Sequence, residues 1–415
     1  METYKICGGK KLMGKIYVNG SKNALLPILA SSILCKDIVT LENVSPLEDT
    51  YSMIEILKLL NVNVMYDNKS KMIIDSRSIT NQVIMEEYTS KLRASYYFMG
   101  ALLSLYNNVK IGHPGGCKFS ARPIDLHFFA FENLGIKIAE IKNVYRLKKT
   151  NKSAQVIRFP KVSVGATINT ILACVKNKGV VILENVAKEP EVDELISFLN
   201  RSGAVIKRDD NKIIVEGVKK LHGCHYTIMD DRIEAQTFII IGALVGRNLE
   251  VIFNCKQYIS EFLKLMRDLG VDIRYTNKGI LVSETKEIKS RDLIFDVYPS
   301  LPTDIQPVLA ILFSISKGES SFIDKVYPDR FSQVDELVSM GYNLKVNGEK
   351  LVIRKNNKYL DSVVECKDLR GGISLVVAAL LSDKTTCVEN VKHIKRGYYN
   401  IVYKLKKVGA DIEEI

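Results

Sequence analysis

One pattern recurs six times along this chain and constrains its fold more than any other feature. A short strand rich in β-branched residues leads through a loop to an amphipathic helix, one small residue and another strand. The helix-to-strand joints read Leu60-Asn61-Val62, Leu134-Gly135-Ile136, Ser202-Gly203-Ala204, Leu269-Gly270-Val271, Met340-Gly341-Tyr342 and Val408-Gly409-Ala410. Successive joints are roughly 70 residues apart, the mark of a structural repeat. Glycine is favoured just past a helix because it accepts the left-handed conformation, and asparagine, the next best, stands at Asn61.

Each copy also carries a more apolar helix, predicted over residues 22–34, 92–105, 166–175, 235–245, 305–315 and 372–381. Helices apolar nearly all round belong in the centre of a domain, whereas one such as 261–269, charged on one face, belongs at the surface. Between them lie apolar strands such as Lys212-Ile213-Ile214-Val215 and Lys350-Leu351-Val352-Ile353. A chain of 415 residues is long for one core, so two domains of three units each are expected. The chain is expected to cross between them near Gly20 and near Asp230-Asp231, giving domains of 1–20 plus 231–415 and of 21–230.

Charge and cysteine usage narrow the function. The formal net charge is +12, but the basic residues are dispersed and form no runs with interleaved aromatics, which argues against a nucleic-acid partner. An anionic small-molecule substrate accounts for part of the excess, and a lysine-rich solvated surface for the rest. The longest apolar stretches, such as 238–245, are too short to span a bilayer, and no apolar run follows the opening Met-Glu-Thr-Tyr-Lys. Eight cysteines without a Cys-x-x-Cys pair, and without ligand-like spacing to the five histidines, point to reduced thiols in a cytoplasm and to no structural metal.

Three groups of residues are candidates for chemistry. Cys117 follows Pro114-Gly115-Gly116 and lies between Lys118 and Arg122, so it is expected on a loop whose cations favour a thiolate. Arg93, Arg122, Arg330, Arg370 and Arg396 are each expected beside the start of a helix, where the dipole and free N–H groups already suit anions. Guanidinium groups added there make a clamp for phosphate or carboxylate. Asp304, in Pro302-Thr303-Asp304 ahead of an apolar helix, could cap that helix or serve as a base. Asp231-Arg232-Ile233-Glu234 and Glu189-Pro190-Glu191 have ordinary capping readings.

Ordered motifs along the whole chain carry a resemblance. They are Gly20-Ser21-Lys22-Asn23-Ala24, Leu92-Arg93-Ala94-Ser95, Pro114-Gly115-Gly116-Cys117, Ala121-Arg122-Pro123-Ile124-Asp125-Leu126-His127 and Ser163-Val164-Gly165-Ala166-Thr167. Glu189-Pro190-Glu191, Asp231-Arg232-Ile233-Glu234, Pro302-Thr303-Asp304, Asp368-Leu369-Arg370 and Arg396-Gly397-Tyr398 continue the series. Together they resemble the enolpyruvyl transferases, in the branch that acts on UDP-N-acetylglucosamine. The resemblance implies an α/β fold, an inside-out α/β barrel of two similar domains, each of three repeated β/α units. It implies transfer of the enolpyruvyl group of phosphoenolpyruvate to the 3-hydroxyl of UDP-N-acetylglucosamine, with release of phosphate and without metal or organic cofactor. A monomer in the cytoplasm is expected.

The resemblance also implies roles. Asp304 takes the sugar hydroxyl proton, and Cys117, on a lid loop of the 21–230 domain, serves acid–base chemistry and product release and is the target of the epoxide fosfomycin. Lys22, Arg122 and Arg396 hold the phosphate of phosphoenolpyruvate, with Lys22 and Arg396 counted in the catalytic set. Arg330 and Arg370 lie near its carboxylate, and Asn23 and Arg93 order the sugar and the closed loop. Arg122, Pro123, Ile124, Asp125 and Leu126, with Lys161, Ser163, Val164, Gly165 and Val326, take the uridine and diphosphate side. Asp368 and Leu369 complete the substrate-binding set.

Departures from the family pattern flank this clamp. Pro328-Asp329 stand where Glu-Asn is usual, Lys395 where Asp is usual, Asp230 replaces a Pro, and His113 an apolar residue. The cation at Lys395, next to Arg396, is expected to make phosphoenolpyruvate affinity salt-dependent. The departures keep a divergent second copy with a reduced or sensing role in view. The sister activity on shikimate 3-phosphate fits less well, because Ser21-Lys22-Asn23 is followed by Leu25-Leu26-Pro27 and a Gly-Gly-Cys loop is present.

Overall fold

The computed structural model describes residues 2–115, 123–150 and 154–415. Two units emerge, Met1–Asn19 with Asp230–Ile415, and Gly20–Met229. The six apolar helices run Lys22–Ser31, Tyr97–Leu105, Val164–Cys174, Arg232–Val245, Gln306–Phe313 and Leu369–Leu381. Every residue of Arg232–Val245 and of Gln306–Phe313 is buried. Those two helices and Leu369–Leu381 pack on one another, and in the other unit Tyr97–Leu105 packs on both Val164–Cys174 and Lys22–Ser31. Burying a large apolar side chain is worth about 1.5–3 kcal/mol. A helix with no polar face gains that on every side, so the helices take the inside of each unit and the sheets its outside.

Among the described residues six sheets, three in each unit, lie outside these helices, and five of them have four strands in one repeated order. In the first, Ile38–Glu42 pairs antiparallel with Met72–Asp75, which pairs antiparallel with Asn63–Tyr66, while His225–Thr227 adds in parallel at the edge. The remaining sheet has three strands, and there a single parallel bridge, Ile84 to Ile111, stands where the edge strand would be. Amphipathic helices such as Pro190–Arg201 and Ser260–Asp268 cover the units with one face in and a charged face out. All six joints have positive φ, from 61° at Asn61 to 104° at Gly409. The repeat read from those joints is thus a repeat of backbone conformation.

The N-terminal segment is shared between two sheets of its unit. Thr3–Cys7 lies between Thr385–Glu389 and Asp411–Glu414, antiparallel to both. Leu12–Tyr17 runs parallel to Gly246–Ile252. Where the chain leaves one unit for the other, Asp231 N–H donates to Asn19 carbonyl at 2.8 Å, and Ser21 N–H to Met229 carbonyl at 2.8 Å.

Candidate active site

Candidate residues gather at the N-terminal ends of the apolar helices, the positive end of each dipole. In the unit containing Asp230–Ile415, Asp304 sits in a single 3-10 turn, Thr303–Ile305, that leads into Gln306–Phe313. No side chain caps that helix, so the capping reading of Asp304 does not hold. Its Oδ1 lies 2.9 Å from Nη1 of Arg330 and its Oδ2 3.0 Å from Nη2 of Arg370. The arginine side chains are 4% and 6% exposed, against 25% for Asp304, so the carboxylate is the part of this cluster that solvent or a ligand reaches.

The hydrogen bonds behind the cluster have fixed directions, because an arginine can only donate. Arg330 Nη1 donates to Thr303 Oγ1 at 2.8 Å, so the Thr303 hydroxyl donates onward to Asp324. Asp324 in turn accepts the backbone N–H of Val326 and of Tyr327, each at 2.9 Å, which fixes the predicted substrate contact Val326. Burial pushes the Asp324 carboxyl above its ordinary range, with the Thr303 hydroxyl and the two N–H groups opposing. On the other side Arg370 Nη1 donates to Tyr398 Oη at 3.1 Å, and the phenol lies 2.9 Å from Thr237 Oγ1. Thr237 donates to Ile233 carbonyl at 2.9 Å, so it accepts from Tyr398. Burial works against the charge of Arg370, yet Asp304 and Tyr398 outweigh it and raise its pKa well above the ordinary value.

Asp368 caps the Leu369–Leu381 helix, accepting from Arg370 N–H at 2.9 Å and Gly371 N–H at 3.0 Å, while the Ser332 hydroxyl takes its other oxygen. Its work in the structure is to aim the start of that helix, and Arg370 with it. Leu369 is the first helical residue. Asp231 caps Arg232–Val245 as expected, bonding Ile233 and Glu234 N–H at 2.9 and 3.0 Å. Glu189 makes no side-chain cap for Pro190–Arg201, and there the expectation fails.

In the Gly20–Met229 unit, Ser21 caps the first apolar helix by accepting Ala24 N–H at 3.3 Å, which puts Lys22 and Asn23 in its first turn. Lys22 Nζ pairs with Asp49 Oδ2 at 3.2 Å, with both side chains largely buried. Arg93 opens a short 3-10 turn ahead of Tyr97–Leu105, donates to Pro123 carbonyl at 3.3 Å and lies over the Tyr96 ring at 5.7 Å. Ser163 caps Val164–Cys174 through Ala166 N–H at 3.3 Å, so Val164 and Gly165 form its first turn. Pro123, Asp125 and Lys161 are exposed; Asn23, Ile124, Leu126, Ser163, Val164 and Gly165 are half-buried. The Arg93 contact and a link from His127 to Asn169 join the Arg93, Pro123–Leu126 and Ser163–Gly165 segments into one cluster.

Three expectations need correction, and two further residues lie outside what the structure describes. Arg396 is not beside a helix start: it is the residue that closes the one-turn helix Lys392–Lys395. Arg330 lies in the turn before Val334–Ser339 and is held by Asp304 and Thr303, so the five arginines are not at equivalent joints. Lys395 does not add a free cation beside Arg396, because its Nζ lies 2.5 Å from Glu414 and 3.2 Å from Glu2. Partial burial disfavours its charge, but these two carboxylates outweigh that and raise its pKa. Cys117 and Arg122 lie outside the described residues.

Sequence reading missed Asp49, Thr303, Asp324, Tyr398 and Asn169. Thr303 and Tyr398 were within quoted motifs, and a polar residue next to a candidate was the available signal. Asp49, Asp324 and Asn169 reach their partners from other segments, and no local pattern marks them. Among the described residues no group of three or more His, Cys, Asp or Glu could hold a metal ion, and no helix is long and apolar enough to cross a membrane.

In each unit, outer sheets around central helices make an inside-out α/β fold, and in one unit a carboxylate held by two buried guanidiniums makes a site suited to anionic ligands. Residues 6–405 match the sequence profile of the EPSP synthase (3-phosphoshikimate 1-carboxyvinyltransferase) family. The chain is 39% identical to the UDP-N-acetylglucosamine 1-carboxyvinyltransferase 2 of Listeria innocua, covering 98% of this chain and 96% of that one. It is 37% identical to the protein of the same name from Bacillus subtilis, covering 99% and 96%. Among solved structures, the enolpyruvyl transferase NikO from Streptomyces tendae matches with a TM-score of 0.92 at 21% identity, over 100% of this chain and 98% of that one. This protein belongs to the enolpyruvyl transferases, the family of EPSP synthase.

Proposed function

We propose that this protein transfers the enolpyruvyl group of phosphoenolpyruvate to the 3-hydroxyl of UDP-N-acetylglucosamine, releasing phosphate, as the first committed step of peptidoglycan synthesis. The observation that carries this reading is the 39% identity over 98% of the chain to a relative named for that activity. The lysine-asparagine and Gly-Gly-Cys sequence motifs support it over the shikimate 3-phosphate reaction, for which the family profile is named.

The reaction is an addition followed by an elimination. The sugar hydroxyl loses its proton and attacks carbon 2 of the enol phosphate while carbon 3 gains a proton; the tetrahedral ketal then gives up phosphate and a carbon 3 proton. Asp304 is the base for the hydroxyl in this reading, and Cys117 serves the acid–base steps. Lys22, Arg122 and Arg396 take the phosphate, with Arg330 and Arg370 at the carboxylate. The geometry adds one feature to those roles. Both oxygens of Asp304 rest on guanidiniums, those of Arg330 and Arg370. An anionic substrate draws on the same guanidiniums, so phosphoenolpyruvate would bind beside the carboxylate that takes the hydroxyl proton. The protein works in this reading as a cytoplasmic monomer with no metal or organic cofactor.

The test is phosphate release from phosphoenolpyruvate on addition of UDP-N-acetylglucosamine and, separately, of shikimate 3-phosphate. Release with the nucleotide sugar alone is expected. Release with shikimate 3-phosphate alone would reassign the activity, and release with neither would favour a sensing role.

A further inference from the structure

Asn169 lies in the middle of the third apolar helix, fully buried, and no sequence motif draws attention to it. Its Oδ1 accepts the N–H of Gly100 at 2.8 Å. A backbone N–H can only donate, so the other end of this amide is the NH2 group. That group donates to Tyr96 carbonyl at 2.9 Å and faces His127 Nδ1 at 3.0 Å. The Asn169 amide therefore brackets the first turn of Tyr97–Leu105, holding the carbonyl at one end and the N–H at the other. Gly100 permits this approach, since a Cβ there would collide with the carbonyl and amide oxygens of Asn169.

The direction of these bonds settles the histidine. Facing an NH2 donor, His127 Nδ1 must accept, so a neutral ring carries its proton on Nε2. Burial, and then the nearby Arg93 cation, lower the imidazole pKa to about 3, so the ring is neutral under ordinary conditions. The protonated edge faces Gly165: a Cβ at that position would lie 3.1 Å from His127 Nε2 and 2.6 Å from Tyr96 Oη. The Tyr96 and His127 rings lie 4.5 Å apart. Gly165 is in the first turn of Val164–Cys174, whose leading N–H groups have no partner within the helix.

We propose that Asn169 is a positioning residue for nucleotide-sugar binding: it holds His127 as the Nε2–H tautomer and thereby sets the His127 and Tyr96 side chains against the Ser163–Gly165 turn. The ligand class is a nucleoside diphosphate, whose anionic oxygens suit the N–H groups of that turn and the Arg93 cation. This assignment of ligand rests on the function proposed above.

The experiment combines Asn169→Asp with histidine-selective 15N NMR and kinetics on the full chain. Aspartate keeps the oxygen that bonds Gly100 but offers only acceptors to His127. The wild-type His127 signal, identified by its loss in His127→Gln, is expected as the Nε2–H tautomer, and Asn169→Asp is expected to move the proton to Nδ1 or to charge the ring. The Michaelis constant for UDP-N-acetylglucosamine should rise about tenfold or more, with that for phosphoenolpyruvate within about twofold. His127→Gln, which keeps a donor near the Nε2 position, should retain more affinity for UDP than His127→Asn, which does not. An Nδ1–H tautomer in the wild type overturns the proposal, as does an equal rise in both constants or equal effects of the two His127 variants. If the wild type binds no UDP or nucleotide sugar, the ligand assignment falls with the proposed function, and the positioning of His127 is decided by the tautomer.

Discussion

Replacing Asp304 by alanine removes a carboxylate able to take a proton and, at the same stroke, the counter-charge of two buried guanidiniums. Loss of a general base typically costs about 10²–10⁴-fold in turnover, with the affinity for nucleotide sugar largely kept because the base acts in the transition state. Leaving buried charges uncompensated costs about 3–5 kcal/mol of stability. An anion that replaces the missing charge should recover part of it, since a ligand of the folded state alone stabilises by mass action. Inorganic phosphate is therefore expected to raise the melting temperature of Asp304→Ala more than that of the wild type; equal shifts would remove Asp304 from the anion site. Lys395 gives the opposite expectation. Its charge is matched by Glu2 and Glu414 in a partly exposed cluster, where such pairs are worth at most about 1 kcal/mol. Lys395→Ala should leave the Michaelis constant for phosphoenolpyruvate and its salt dependence within about twofold of wild type, measured by steady-state kinetics at two ionic strengths. A marked change would restore Lys395 to the clamp.

Helices and joints were the most legible elements, because one physical cause writes each of them into a short stretch of sequence. A helix apolar all round must be buried, and a turn with positive φ favours Gly or Asn; both signals are local. Gly270 tests the second directly. At φ 94° a Cβ would meet nothing within 4 Å, so Gly270→Ala is charged with backbone strain alone, about 1–2 kcal/mol. Chemical denaturation should show that loss with unchanged activity, whereas no loss would mean that the joint relaxes. Arg396 and Asn169 show where legibility stops. Arg396 lies near a helix in sequence but at its C-terminal end, and a one-turn helix is too short for periodicity to orient. Asn169 draws its meaning from Gly100, Tyr96 and His127, residues of two other segments. Nothing in its own neighbourhood distinguishes it from an ordinary polar residue in an apolar helix.

For the molecule as a whole, burial of His127 sets a term in the pH dependence of stability. Its folded pKa is about 3 against an ordinary 6.5, so below 6.5 the unfolded chain binds a proton that the folded one refuses. Stability is therefore lost as pH falls through 6.5 towards 3, and the group's contribution to the slope fades within about a unit above 6.5. Between pH 7 and pH 5 the loss is about 2 kcal/mol. His127→Gln should flatten urea-unfolding stability over that interval by this amount; parallel curves would show that His127 is protonated in the folded state. The thiols divide in the same way. Burial lifts Cys35 and Cys174 to about 12, which leaves little thiolate at neutral pH. Fosfomycin is expected to alkylate Cys117 and spare those two, with peptide mass spectrometry as the measurement and an adduct on either buried thiol as the contrary result.

The sharing of the N-terminal segment between two sheets has a consequence for how the chain is made. On the ribosome, residues 20–229 emerge as an uninterrupted block that already contains all three of its apolar helices and the strands of its three sheets. Thr3–Cys7 leaves the tunnel before that block, yet its neighbours, Thr385–Glu389 and Asp411–Glu414, are translated well after it. At about 5–20 residues per second, those first residues wait tens of seconds without a partner. A nascent chain halted once residue 229 has cleared the tunnel should thus resist protease across 20–229 while its opening segment is still cut. A strand made before the 20–229 block is thus protected only after it.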